Sequence, residues 1–221
     1  MFLEIPDLLN ATEIAELLTI AATANFVDGR ISNPNNPAKD NLQLHDQAAY
    51  ARSSKIMIEA LFGRAEFVEF AFPKIVLPPM ITKYGVGMKY GAHADAAFIP
   101  MELRPLRTDL SATIFLADPA SYDGGELSVL LGTRAVTFKG APGSAIIYPS
   151  NTLHQVIPVT RGERIAAISF IESDVPDINQ RDLLYELNEV AALEGNNMAF
   201  ENYSRLQRIQ YGLRRMWSDP A

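Results

Sequence analysis

Apolar positions recur at helical spacing at both ends of the chain and at strand spacing in its middle. Near the start, Ile14, Leu17, Leu18 and Ala21 share one helical face, because residues three and four apart lie over one another. Asn10, with Glu13 three positions later, is the pair that satisfies the first turn of such a helix reciprocally. A second helix is expected through Ala48 to Phe62, and the intervening run Ser32-Asn33-Pro34-Asn35-Asn36-Pro37 is dense in turn formers and reads as a surface loop. From about Phe72 to Glu172 the texture changes to short β-rich runs, among them Ser111 to Leu116, Glu126 to Leu130, Ala135 to Phe138, Ser144 to Tyr148 and Ile165 to Ile171. Gly, Pro and Asp separate them, and several short strands at that spacing predict a sandwich or barrel. After Pro176 the helical period returns with Leu183, Leu184, Leu187 and Val190 and breaks at Gly195-Asn196-Asn197. A last helix then carries Leu206, Ile209 and Leu213 on one face and Arg205, Arg208 and Arg215 on another. The fold class is therefore α+β with a mainly β core. An N-terminal helical region over 1–71 packs on a core over 72–175, and a C-terminal helical extension spans 176–221.

At 221 residues, 48% of them apolar, the chain is long enough to bury a full core as one catalytic domain with helical ends. It has no cysteine, which excludes disulfide frameworks, thiolate zinc sites, iron–sulfur clusters and a cysteine nucleophile. Any metal must be held by His, Asp or Glu. A net charge of -7 and a pI near 5.0 argue against nucleic acid as a partner. The opening Met1-Phe2-Leu3-Glu4-Ile5-Pro6-Asp7 has no basic segment followed by a long apolar one, so the expected location is the cytoplasm. Ala141 to Thr160 lacks charged residues but holds three prolines, Asn151, His154 and Gln155, and reads as buried strands and a turn rather than a membrane span.

Two of the three histidines fall in the β-rich region. His93-Ala94-Asp95 puts two donor side chains at i and i+2, which project from one face of an extended segment and can supply two adjacent ligands to one metal. On its own this spacing is common by chance. His154 lies far enough downstream for intervening strands to return it beside the first pair, completing two His and one carboxylate. That set leaves three open positions on one face of an octahedron, as in non-haem Fe(II) oxygenases. Arg164, ten residues past His154, opens the apolar run Ile165 to Ile171 and can point into the same cavity. Its planar fork of donors suits the distal carboxylate of a dicarboxylic acid. Singly, a turn histidine or a structural arginine is the plainer reading; jointly the four residues are far more specific.

The segment Tyr84-Gly85-Val86-Gly87-Met88-Lys89-Tyr90-Gly91-Ala92-His93-Ala94-Asp95 resembles the entry to the iron site of prolyl-hydroxylase-like oxygenases, and is closer still to bacterial PKHD-type hydroxylases. Arg107 to Leu116, Asp118-Pro119 and Ser121 to Leu127 are similar to that family's central block. Tyr148-Pro149-Ser150, His154, Pro158 to Gly162 and Arg164 are similar to its second block. Phe26 to Arg30 and Trp217-Ser218 extend the likeness over nearly the whole chain. The resemblance implies a double-stranded β-helix (jelly roll, cupin-like), Fe(II) at His93, Asp95 and His154, and 2-oxoglutarate as co-substrate on Arg164. It also implies L-ascorbate as reductant and an association with iron and siderophore uptake. The reaction implied is oxidative decarboxylation of 2-oxoglutarate to succinate and CO2, coupled to hydroxylation of a small-molecule or peptide substrate. Two departures stand out. The tyrosine that helps hold 2-oxoglutarate in animal prolyl hydroxylases falls on Phe115, and no Ser sits two residues beyond Arg164. Tyr84 is the substitute hydroxyl on this reading.

His45 reads as a surface or helix-start histidine, and Gly124-Gly125 as a strand-joining turn, because no Lys-Ser or Lys-Thr follows to make a phosphate loop. The arginines of the last helix read as a solvated face or a contact between copies in a homo-oligomer. A non-catalytic cupin-like metal-binding or sensory module, or a zinc hydrolase, would use the same triad. Neither needs a dicarboxylate clamp, so Arg164 separates them from an oxygenase.

Overall fold

In the computed structural model, which describes residues 1–33 and 36–219, the β-rich middle folds into two facing antiparallel sheets. With strands numbered along the chain, the larger sheet runs β1 (Leu3–Ile5), β13 (Ala145–Pro149), β10 (Leu110–Phe115), β15 (Arg164–Ser173), β6 (Met80–Tyr84), β4 (Leu42–Leu44), β2 (Phe26–Asp28). β5 (Pro73–Val76) also pairs with β15. The smaller sheet runs β12 (Arg134–Phe138), β11 (Leu127–Leu131), β14 (His154–Val156), β7 (Lys89–His93), β3 (Lys39–Asp40). A short hairpin joins β8 (Phe98–Ile99) to β9 (Leu106–Arg107). The core strands alternate between sheets as the chain proceeds, β6 to β7, β10 to β11, and β13 to β14 to β15, which is the winding of a double-stranded β-helix.

Alternation along β10 shows why the layers form. Leu110, Ala112 and Ile114 point outward into the main apolar cluster, where Leu17, Ala21, Ile56, Met57 and Leu61 of two helices cover the larger sheet. Those helices are α1 (Ala11–Thr23) and α2 (Gln47–Phe62), followed by α3 (Ala65–Ala71). Ser111, Thr113 and Phe115 point the other way, between the sheets. Asn10 and Glu13 form the expected reciprocal cap on α1, a device worth about 1 kcal/mol. At the other end α4 (Ile178–Glu194) and α5 (Phe200–Trp217) dock through Leu184, Leu213 and Trp217 onto Phe72 and Val175.

Two features differ from the sequence pattern. The first 71 residues are not only helical: they contribute β1 to β4 to the two sheets. Each is three residues or shorter, too short to display a period, and is fixed by register against longer partners such as Ile147 opposite Leu3 and Thr82 opposite Gln43. On α5, Ile209 is exposed, and Gln210 turns inward instead, its amide donating to the Leu187 carbonyl and Asn188 Oδ1. Arg205, Arg208 and Arg215 are exposed, which fits a solvated face and a contact between copies alike. Of the loop expected over 32–37, Pro34 and Asn35 lie outside the described residues. Ala141 to Thr160 resolves into β13 and β14, and among the described residues no helix is long and apolar enough to cross a membrane.

Candidate active site

The antiparallel register of β14 on β7 sets His154 directly opposite His93. The two rings lie 4.3 Å apart, centroid to centroid, and Tyr90 stacks on the other face of His93 at 3.7 Å. Asp95 follows just past the end of β7, where its backbone N–H donates to the Ser150 carbonyl at 3.1 Å. Its two carboxylate oxygens are each 3.8 Å from one imidazole Nε2: Oδ1 from His93 and Oδ2 from His154. One donor atom from each of the three residues lies within 4.8 Å of the others, a spacing that could hold a single metal ion.

Orientation is fixed from behind. His93 Nδ1 lies 2.8 Å from the Gly91 carbonyl and His154 Nδ1 2.9 Å from the Thr152 carbonyl. A carbonyl only accepts, so each ring in its neutral form carries the proton on Nδ1 and presents a bare Nε2 to the shared space. Burial, and then the neighbouring His154, hold His93 below the ordinary histidine range, which favours the neutral form a metal needs. Ser111 Oγ donates to Asp95 Oδ2 at 2.6 Å and lies 2.7 Å from Ser150 Oγ. With its own proton given to the carboxylate, Ser111 accepts the proton of Ser150, and the relay locks the Asp95 rotamer.

Arg164 heads β15 opposite Tyr84 on β6 and is only 2% exposed. Its guanidinium lies over the Tyr84 ring at 5.0 Å, and its Nε has no hydrogen-bond partner. Among the described residues it forms no ion pair. A buried guanidinium is costly unless an anion meets it. Arg164 lines one cavity of about 380 Å³ together with His93, Asp95, His154, Tyr84, Tyr148 and Thr113. Asn41 Nδ2 donates to the Tyr84 hydroxyl at 3.0 Å, which leaves the phenolic proton free to be donated elsewhere. Burial, and then the Asp95 carboxylate, push the Tyr148 phenol far up, against the pull of Thr113 and Arg164, so it too stays a donor. An arginine fork with neutral hydroxyls around it fits a carboxylate, and the His-Asp-His cluster beside it fits Fe(II).

All five residues singled out from the sequence, His93, Asp95, His154, Arg164 and Tyr84, therefore meet in one cavity. Phe115 does not line it. Its ring packs with Leu127, Val129 and Ile146, and on the neighbouring strand Tyr148 lines the cavity. Tyr148, Ser111 and Ser150 fall in the segments that resemble the family, but nothing in the sequence alone gives them a role at the site. His45 is exposed just before the Asp46 cap of α2, outside the cluster.

The fold and the site together define an Fe(II)- and 2-oxoglutarate-dependent oxygenase, and residues 79–172 match the model of the 2OG-Fe(II) oxygenase superfamily. A PKHD-type hydroxylase of Sphingopyxis alaskensis is 58% identical over 211 residues, covering 96% of this chain and 97% of its own length. A PKHD-type hydroxylase of Cupriavidus metallidurans is 39% identical over 228 residues, with 99% of this chain and all of the relative covered. The chain belongs to the PKHD-type hydroxylase family. In fold it is similar to a Pseudomonas putida prolyl-4-hydroxylase, with a TM-score of 0.56 at 17% identity over 78% of this chain and 92% of the other.

Proposed function

We propose that His93 Nε2, Asp95 and His154 Nε2 hold Fe(II), and that Arg164, with the Tyr84 and Tyr148 hydroxyls, binds the distal carboxylate of 2-oxoglutarate. In this reading the protein couples conversion of 2-oxoglutarate to succinate and CO2 with hydroxylation of a small-molecule or peptide substrate in the cytoplasm. Ascorbate serves as reductant. The carrying observation is the buried Arg164, free of any ion pair among the described residues, in the same cavity as the His-Asp-His cluster. A binding module or a zinc hydrolase has no use for it. When bound, the iron supplies the oxygen chemistry. The protein's own part is to present two fixed imidazoles and a fixed carboxylate, orient the dicarboxylate, and exclude water.

The test is a titration of the Fe(II) form with 2-oxoglutarate under anaerobic conditions, followed by its visible charge-transfer absorption. Arg164→Lys keeps the charge but loses the bidentate fork, so affinity should fall about thirtyfold, on the order of 2 kcal/mol, with metal content unchanged. Unchanged affinity would place the clamp elsewhere. A role in iron or siderophore uptake is tested separately, by growth of a deletion strain under iron limitation.

A further inference from the structure

The chain crosses from the smaller sheet to the larger between β3 and β4, and along this crossing the usual alternation is reversed. Lys39, Asn41 and Gln43 are buried, at 7%, 2% and 7% exposure, while Asp40 between them is exposed and Leu42 half-buried. All three buried side chains line the cavity that holds the His-Asp-His cluster. Burying polar groups in a row opposes folding unless each has a partner. The Asn41 amide nitrogen is accounted for by Tyr84, although its Oδ1 has no hydrogen-bond partner among the described residues. Lys39 and Gln43 are not accounted for by the iron or by 2-oxoglutarate.

Lys39 Nζ donates to Ser32 Oγ at 2.7 Å, and Ser32 Oγ lies 3.0 Å from Gln43 Oε1. One proton of the ammonium is thus used, and among the described residues Lys39 forms no ion pair. Ser32 Oγ has a single proton, for which Gln43 Oε1 and the Gly29 carbonyl, each at 3.0 Å, are the two acceptors, and the two N–H donors of Gln43 make no hydrogen bond among the described residues. The ammonium sits 5.6 Å over the Tyr90 ring, which stacks directly on His93. A fixed set of donors, one of them cationic, therefore stands one aromatic ring away from the metal cluster. Arg164 heads β15, which is separated from Gln43 on β4 by the strand β6 that carries Tyr84. Beside the donors the cavity wall is apolar, with Leu77, Pro78, Met80, Ile168 and Phe170.

We propose that Lys39, positioned by Ser32, and Gln43 form a carboxylate-binding subsite for the prime substrate. The molecule hydroxylated is then an organic acid whose carboxylate docks here while its apolar part faces the reacting centre. This deepens the oxygenase reading and rests on it. A neutral acceptor would satisfy the amide but leave the buried ammonium with only the through-space pull of Asp95 and of Asp28, which is already paired with Arg30, whereas a carboxylate serves both.

The probe is 4-phenylbutyrate against its uncharged twin, 4-phenylbutyramide, titrated by calorimetry into protein loaded with redox-inert Zn(II) and saturating 2-oxoglutarate. Wild type should bind the acid at least about tenfold more tightly than the amide, as a charge-assisted pair in a dry site requires. Lys39→Met and, independently, Gln43→Leu should shrink that ratio to roughly threefold or less, with 2-oxoglutarate affinity and melting temperature kept. A purely structural lysine would shift the melting temperature and leave the acid–amide ratio alone. Equal or undetectable binding of acid and amide by wild type would overturn the proposal. So would an acid preference that survives both substitutions, or a parallel loss of 2-oxoglutarate affinity, which would assign Lys39 to the co-substrate clamp. A wild type that takes up no 2-oxoglutarate would count against the oxygenase reading instead, and the same comparison on the Zn(II) form alone would then decide the subsite.

Discussion

Ser111 shows how a residue with no signature of its own can govern the site. Its hydroxyl holds one oxygen of Asp95 and is backed by Ser150, two strands contributing to one rotamer. Ser111→Ala should leave all three proposed ligands in place yet cost about tenfold to a hundredfold in metal affinity, because groups that orient a ligand are worth that much. Competition with a chelator of known affinity reads this directly, and an affinity equal to wild type would show that Asp95 is held by its backbone position alone. The contrast with what the sequence makes legible is instructive. His93, Asp95, His154 and Arg164 are rare types at a telling spacing, so they can be found without a structure. Ser111, Ser150, Tyr148 and Lys39 are ordinary residues whose importance comes from which strand lies next to which. That information is cross-strand register, and no local pattern carries it.

At the scale of elements, the long strands and helices were legible because burial imposes a period on them. The β15 strand, Arg164–Ser173, matches the expected Ile165 to Ile171 run, and α2, Gln47–Phe62, matches the second helix to within a residue. The three-residue strands β1, β2, β4 and β14 escape the same reasoning, although β14 carries His154. The Gly124-Gly125 pair is a strand-joining turn before β11, as its composition suggests, and it also shapes the clamp. Gly125 has φ +70°, and a Cβ there would press on Val159, on the Tyr122 ring and on Arg164 Cδ at 3.2 Å. Gly125→Ala should destabilise the fold by on the order of 1–2 kcal/mol through the left-handed backbone. It should also displace Arg164, so that 2-oxoglutarate affinity falls while metal binding stays. If both affinities were unchanged, the turn would be a connector and nothing more.

For the whole molecule, the two sheets divide the proposed labour. The smaller sheet brings His93 and His154 together across one strand pair, and the larger one delivers Arg164 and Tyr84 across another. Helices α1 to α3 brace the outer face of the larger sheet, and α4 and α5 pack at Phe72 and Val175. The Arg107 guanidinium ties the C-terminal end to the core, bridging Asp109 and Asp219 at 2.8 and 2.7 Å. Because both sheets contribute, it is in the assembled cavity that metal, 2-oxoglutarate and O2 should react, even before a prime substrate arrives. The most direct measurement is succinate formed from 2-oxoglutarate, quantified by mass spectrometry, with Fe(II), O2 and ascorbate and no added substrate. Wild type should make succinate slowly but clearly above free iron, with Arg164→Ala falling to the free-iron level. Equal succinate from wild type, Arg164→Ala and free iron would contradict the assignment of this cavity as an oxygenase site.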